Sequence, residues 1–165
     1  MFVGPTAILL AVAIIPAVYL LIQVYRQDKL EKESPQLLFR LVLQGIFATF
    51  GAILTETIGD AVMDGVAGGS KGLLYHLIYF MIVVALSEEG FKYILLKKVT
   101  WNSPEFNCQF DGVIYAAFVG LGFALWENIS YVFSYGLAVA VVRAITAVPA
   151  HCCFGIFMGV YYGLA

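Results

Sequence analysis

The chain has 165 residues, of which 62% are hydrophobic and only 12% charged, and its formal net charge is −2. Soluble domains are about a quarter charged, so this composition excludes an ordinary soluble globular protein and describes one that lives in a bilayer. The small net charge, with no basic run and no base-stacking module, excludes a nucleic-acid partner.

A helix needs about 20 apolar residues to cross a bilayer. The first such run is Phe2–Tyr25, which lacks the basic n-region of a cleaved signal and is long enough to span. The second is Leu37 to about Ile58. After it, GDAVMDGVAGGSKG is glycine-rich and acidic and predicts a flexible loop; Asp60 and Asp64 lack the spacing of a calcium loop and read as solvated. The third run is Leu73–Leu96 and the fourth Gly112–Phe133. The last, Leu137–Ala165, is long for one span and contains Pro149, which predicts a kinked or tilted helix rather than two short ones.

The reading is therefore an all-α, polytopic transmembrane bundle of five spans. No internal repeat or linker divides it, so residues 1–165 form one domain. Arg26, Lys29, Lys32 and Arg40 flank the first connection and Lys97 and Lys98 the third, whereas the second holds only Lys71 and the fourth no basic residue. By the positive-inside rule the first and third connections are cytoplasmic, the N-terminus faces outward and the C-terminus inward.

Against this apolar background Glu88, Glu89 and Glu127 stand out, because an ionisable group in hydrocarbon costs about 2.5–3.5 kcal/mol even on the lenient insertion scale. Lys92, Arg143, Asn128 and His151 share the interior with them. Lys92 lies three and four residues beyond the two adjacent glutamates, so one ammonium can reach both carboxylates. An internal ion pair explains one carboxylate and leaves the other in excess. Two adjacent carboxylates in an apolar site repel each other and favour holding a proton, which suits a general base or acid.

On the fourth span Gly112, Ala116, Gly120 and Ala124 recur every four residues and lead to Asn128, beside Glu127. Small residues at this interval let membrane helices approach closely, so Asn128 is expected inside the bundle, either donating to a developing oxyanion or holding two helices together. Arg143, Ala147, His151, Gly155, Gly159 and Gly163 form a similar row on the last span. His151 is thereby placed on a close-packing face, where proton transfer or metal ligation competes with a structural hydrogen bond. Arg143 most simply neutralises Glu127. His76 is expected near the outer interface. Cys152 and Cys153 follow His151 directly, but adjacent helical residues point about 100° apart and cannot all face one ion; with Cys108 they form no CxxC pair and read as ordinary small residues. At about 1.5 Å per residue, Glu88 and His151 lie roughly 22 Å from the outer ends of their spans and Glu127 only about 11 Å, so either the fourth helix is shifted or tilted or Glu127 does not take a direct part, and Glu88, Glu89 and His151 are the stronger candidates.

Together SEEGFKY, GFALWEN and RAITAVPAHCCFG, in this order and on three separate spans, resemble the PrsW family of intramembrane proteases, in the superfamily of the CAAX prenyl endopeptidases. The resemblance covers roughly residues 73–165. It implies peptide-bond hydrolysis within or at the edge of a prokaryotic cytoplasmic membrane, on a single-pass membrane substrate of the anti-sigma-factor type. It implies Glu88 and Glu89 as the catalytic pair, completed by His151 and Glu127, with Lys92, Asn128 and Arg143 in support. The CAAX enzymes carry a histidine where Glu127 stands here.

One carboxylate of the pair would take a proton from water, and Asn128 or a protonated His151 would stabilise the oxyanion. A zinc-dependent version would use Glu88, Glu89, Glu127 and His151 as ligands. A single mid-span histidine and no HExxH favour the metal-independent scheme, since zinc hydrolases commonly use two or three histidines. A proton-coupled transporter or channel, or a non-catalytic binding protein in the lipid bilayer, are the other classes this constellation allows.

Overall fold

The computed structural model describes residues 4–29, 32–67 and 72–165. Its elements are all helical: α1 (Pro5–Gln27), α2 (Pro35–Ala67), α3 (Leu73–Ile78), a π-helical stretch (Tyr79–Val84), α4 (Ala85–Thr100), α5 (Gln109–Tyr135), α6 (Leu137–Ile145) and α7 (Ala147–Gly163). Among the described residues five stretches are long and apolar enough to cross a membrane, since α3 to α4 run as one and α6 to α7 as another. This matches the expected all-α bundle. Lys71 lies outside the described residues.

The helix starts follow local chemistry. Pro35 opens α2, where a missing N–H costs nothing, and the Ser34 hydroxyl accepts the Leu37 N–H at 3.2 Å. Asp111, in the first turn of α5, accepts the backbone N–H groups of Cys108 at 2.7 Å and Asn107 at 3.0 Å. The turn from α5 to α6 is made by Gly136, whose φ of +83° is open to glycine and strained for other residues.

One boundary differs from expectation. The second helix does not end near Ile58 but runs on to Ala67, so Asp60 and Asp64 lie on an exposed helical face rather than in a loop. Gly59, which reads as a turn signal, is a packing residue: a Cβ there would collide with Val83. The last stretch is one kinked span, as expected, with its break at Thr146 (φ −118°, ψ −77°), upstream of Pro149. A proline ring clashes with the carbonyl four residues before it, here Ile145, so the break falls at the start of α7 and Pro149 sits harmlessly in its first turn.

The centre of the bundle is α5, which packs on α7, α2 and α1. Its small-residue row faces α7 as the spacing predicts. A Cβ on Gly120 would stand 2.7 Å from the His151 carbonyl, and one on Gly155 2.7 Å from that of Ala116, so only glycine permits this approach. The basic ends of α1, α2 and α4 share one side of the molecule, because Glu105 in the third connection accepts both the backbone N–H (2.9 Å) and the hydroxyl (3.0 Å) of Ser34 in the first. The outer faces of the helices carry exposed Ile, Leu, Val and Phe side chains, as lipid contact requires.

Candidate active site

Glu88, Glu89 and Lys92 lie on α4, Glu127 and Asn128 on α5, and Arg143 and His151 on α6 and α7. The π-helical stretch just before α4 inserts extra residue into the turn and so sets which face of the span these polar groups occupy. The packing of α5 and α7 brings the rest to meet them.

Lys92 is the hub. It is 1% exposed, and its ammonium lies 2.6 Å from Glu89 Oε1, 3.4 Å from Glu88 Oε2 and 3.0 Å from His151 Nδ1. It also sits 3.9 Å from the centroid of the Phe123 ring. An ammonium has three donors and no acceptor, so all three are spent on these partners. His151 Nδ1 must then accept, which places the imidazole proton on Nε2. That nitrogen faces Glu127 Oε2 at 2.9 Å, so it donates to a carboxylate that also receives the Arg143 guanidinium at 2.5 Å. Arg143 Nε donates to Asn128 Oδ1 at 3.1 Å, and Asn128 Nδ2 donates to the Ala13 carbonyl of α1 at 2.8 Å. One continuous chain of hydrogen bonds, charge-assisted as far as Asn128, therefore joins α4, α7, α5, α6 and α1.

Glu127 reaches His151 despite its different depth. Its backbone is indeed offset: Gly120 stands opposite His151, and Glu127 is about two turns, on the order of 10 Å, farther along α5. Side chains lean toward the N-terminus of their own helix, and α5 and α7 run antiparallel, so Glu127 and His151 lean toward each other and close the gap. Yet Glu127 meets His151 on the nitrogen facing away from the glutamate pair. Asn128, 0% exposed and bonded to Ala13 and Arg143, holds helices together rather than facing the pair. His76 is exposed, and Cys152 and Cys153 point apart, one buried and one exposed.

Two features bear on chemistry. One ligand atom each from Glu88, Glu89 and His151 lies within 4.8 Å of the others, while Glu89 Oε2 is buried without a partner. A set of three such donors, with one oxygen left unsatisfied, fits a metal ion with an open position, provided Lys92 yields His151 Nδ1; Glu127 is not part of this set. The second feature is a cavity of about 160 Å³ between α2, α4 and α5, lined by Glu88, Glu127, Trp126, Tyr131 and a residue the sequence reading passed over, Glu56. Glu56 sits inside the second apolar run, so the criterion that singled out the other three acids applies to it equally.

A membrane-embedded helical bundle with paired glutamates, a lysine and a histidine converging beside a small cavity defines a class: an intramembrane site equipped for acid–base or metal chemistry. The match to known proteins narrows it. Residues 33–165 fit the model of the PrsW family intramembrane metalloproteases, and the chain belongs to that family. It is similar to the protease PrsW of Oceanobacillus iheyensis (32% identical over 159 residues), of Geobacillus kaustophilus (30% over 157) and of Bacillus subtilis (29% over 157). Each alignment covers 95% of this chain and 69%, 66% and 68% of the respective relative, so the chain spans about two thirds of the length of the curated relatives it matches. No solved structure matches it.

Proposed function

We propose that this chain is an intramembrane endopeptidase that hydrolyses a peptide bond of a single-pass membrane protein. The observation that carries the reading is the convergence of Glu88, Glu89 and His151 within 4.8 Å, with Glu88 opening onto the 160 Å³ cavity. Glu88 is the general base: it lines the cavity, whereas Glu89 makes the shortest contact with Lys92. Glu88 takes a proton from a water in the cavity, the water oxygen attacks the scissile carbonyl, and the proton passes to the departing amine as the C–N bond breaks. Lys92 supplies the positive charge nearest the developing oxyanion. His151, fixed between Lys92 and Glu127, keeps that ammonium in place. Glu127, Arg143 and Asn128 support His151.

The unpartnered Glu89 Oε2 and the three-donor set favour a second version of the same reaction. In it Glu88, Glu89 and His151 would hold zinc. A bound zinc polarises a carbonyl and makes water a nucleophile near neutral pH. For this the chain itself must swing Lys92 off Nδ1.

The basic end of the bundle faces the cytoplasm in this reading, in a prokaryotic cytoplasmic membrane, and the resemblance to the PrsW proteins points to an anti-sigma factor as substrate. The test is cleavage of a single-pass substrate in proteoliposomes. Glu88→Gln, Glu89→Gln and His151→Ala should each lower the rate by about 10²-fold or more; if all three retain full cleavage, the reading fails. Chelation followed by zinc readdition separates the two versions.

A further inference from the structure

At the basic end of the molecule a second, larger cavity of about 370 Å³ opens between the start of α2 and the end of α4. It is walled by polar groups of the opposite sign to the acidic recess beside Glu88, among them Arg40 and Lys98 with Gln36, Asn102 and Ser103. Neither the Arg40 guanidinium nor the Lys98 ammonium has a hydrogen bond or ion pair with any described residue. The neighbouring Lys97 behaves differently: it lies over the Trp101 ring at 4.6 Å, which leaves Lys98 as the lysine turned to the cavity. The one carboxylate on the wall, Glu105, accepts from Ser34 on both oxygens and forms no ion pair with either cation, so the wall carries two positive charges against one negative.

Two unpaired cations and several neutral donors around one cavity make a site for an anion with several acceptor oxygens. Its level in the membrane decides which anion. The apolar spans begin at Pro35 and end at Thr100 on this side, so the cavity lies where the hydrocarbon gives way to headgroups. Basic pockets between transmembrane helices at this depth suit anionic headgroups, each Lys or Arg strengthening the attraction. We infer that Arg40 and Lys98 form a binding site for an anionic phosphate ester, carried by a lipid headgroup, at the junction of α2 and α4. Because α4 also carries Glu88, Glu89 and Lys92, a lipid seated here braces the end of the helix that holds the glutamate pair.

The test is binding, independent of proteolysis. The full chain in detergent is titrated with dioleoylphosphatidylglycerol, dioleoylphosphatidylcholine or inorganic phosphate, and retained lipid and unfolding temperature are read. Phosphatidylglycerol should be retained and raise the unfolding temperature, and phosphatidylcholine should do so far less. Arg40→Gln and Lys98→Gln should each weaken phosphatidylglycerol binding by about fivefold, Arg40→Lys should restore most of the loss, and Lys29→Gln, the same charge change outside the cavity, should leave binding unchanged. Equal weakening by Lys29→Gln would mean only general attraction to a basic surface and would overturn the site. Stabilisation by inorganic phosphate at the concentrations where the lipid acts would overturn the lipid as its source, and indifference between the two lipids would overturn the inference outright.

Discussion

Replacing Lys92 by methionine removes the hub of the buried network while keeping most of the side chain's length. In a soluble protein, stripping one partner from a buried ion pair costs about 3–5 kcal/mol. Here the reference state is different, because the unfolded chain in a membrane still consists of formed helices. Glu88 and Glu89 are on the same helix as Lys92, at four and three residues' distance, so those two pairs survive separation of the helices and contribute little to holding the bundle together. What bundle formation adds is the contact with His151 on α7 and with the Phe123 ring on α5. An interhelical hydrogen bond in a membrane is worth about 0.6–1.7 kcal/mol and a desolvated cation–π contact about 0.5–2 kcal/mol. Lys92→Met should therefore destabilise the bundle by roughly 1–4 kcal/mol, read as an earlier midpoint in an SDS titration of detergent-solubilised protein. It should separately lower membrane insertion, since two carboxylates lose their cation. Adding Glu89→Gln should recover insertion yield and leave the SDS midpoint low. An unmoved midpoint in Lys92→Met, or one restored by Glu89→Gln, would refute this division between intrahelical and interhelical energy.

Glu33, in the connection before α2, predicts a pH response: burial pushes its carboxyl up to about 7 from 4.5, the Tyr115 hydrogen bond pulls it down, and Asp111, Asp28 and Glu105 add to the rise. The Tyr115 hydroxyl lies 2.6 Å from Glu33 and 3.0 Å from the Glu105 carbonyl; its single proton can serve only one of two acceptors unless Glu33 is itself protonated. The folded protein thus holds a proton that the unfolded chain releases above about pH 4.5, so this contribution is complete below that pH and is lost as pH rises through about 7. Unfolding midpoints from pH 4 to 8 should fall in the wild type and flatten in Glu33→Gln; parallel profiles would count against the assignment. Gly120→Leu should disrupt folding by several kcal/mol, because its side chain would enter the His151 backbone, whereas Gly65→Leu, with open space around it, should be neutral when both are compared by SDS titration. Glu56→Gln removes a carboxylate that has no hydrogen bond or ion pair among the described residues and faces the cavity with Glu88 and Glu127; the protein should become more stable while cleavage slows, and faster cleavage would exclude Glu56 from the substrate path.

Much of this site was legible because helical periodicity converts sequence spacing directly into shared faces. The three- and four-residue intervals from Glu89 and Glu88 to Lys92, and the four-residue rows ending at Asn128 and passing through His151, each predicted a neighbour or a buried face that the structure contains. What spacing cannot report is anything that changes phase or axis along a span. The π-helical stretch at Tyr79–Val84 rotates the polar face of the third span, and the bend at Thr146 re-aims α7; neither has a sequence signature as plain as a glycine row.

Depth arithmetic left the place of Glu127 open for a related reason. It located Cα atoms correctly and ignored the lean of the side chains, which in two antiparallel helices adds up rather than cancels. A backbone offset of about 10 Å thus ends in a 2.9 Å contact between Glu127 and His151. The same contact bears on what Glu127 can do. With Arg143 and the His151 Nε2 proton on one oxygen, it is placed to fix the imidazole with Nδ1 toward Lys92 and the glutamate pair, the positioning role proposed above. A Glu127→Gln variant tests this positioning role. It should cost cleavage rate while shifting the pH profile of what remains, because an amide cannot hold His151 in one tautomer as a carboxylate does; a uniform loss with an unchanged profile would assign Glu127 to packing alone.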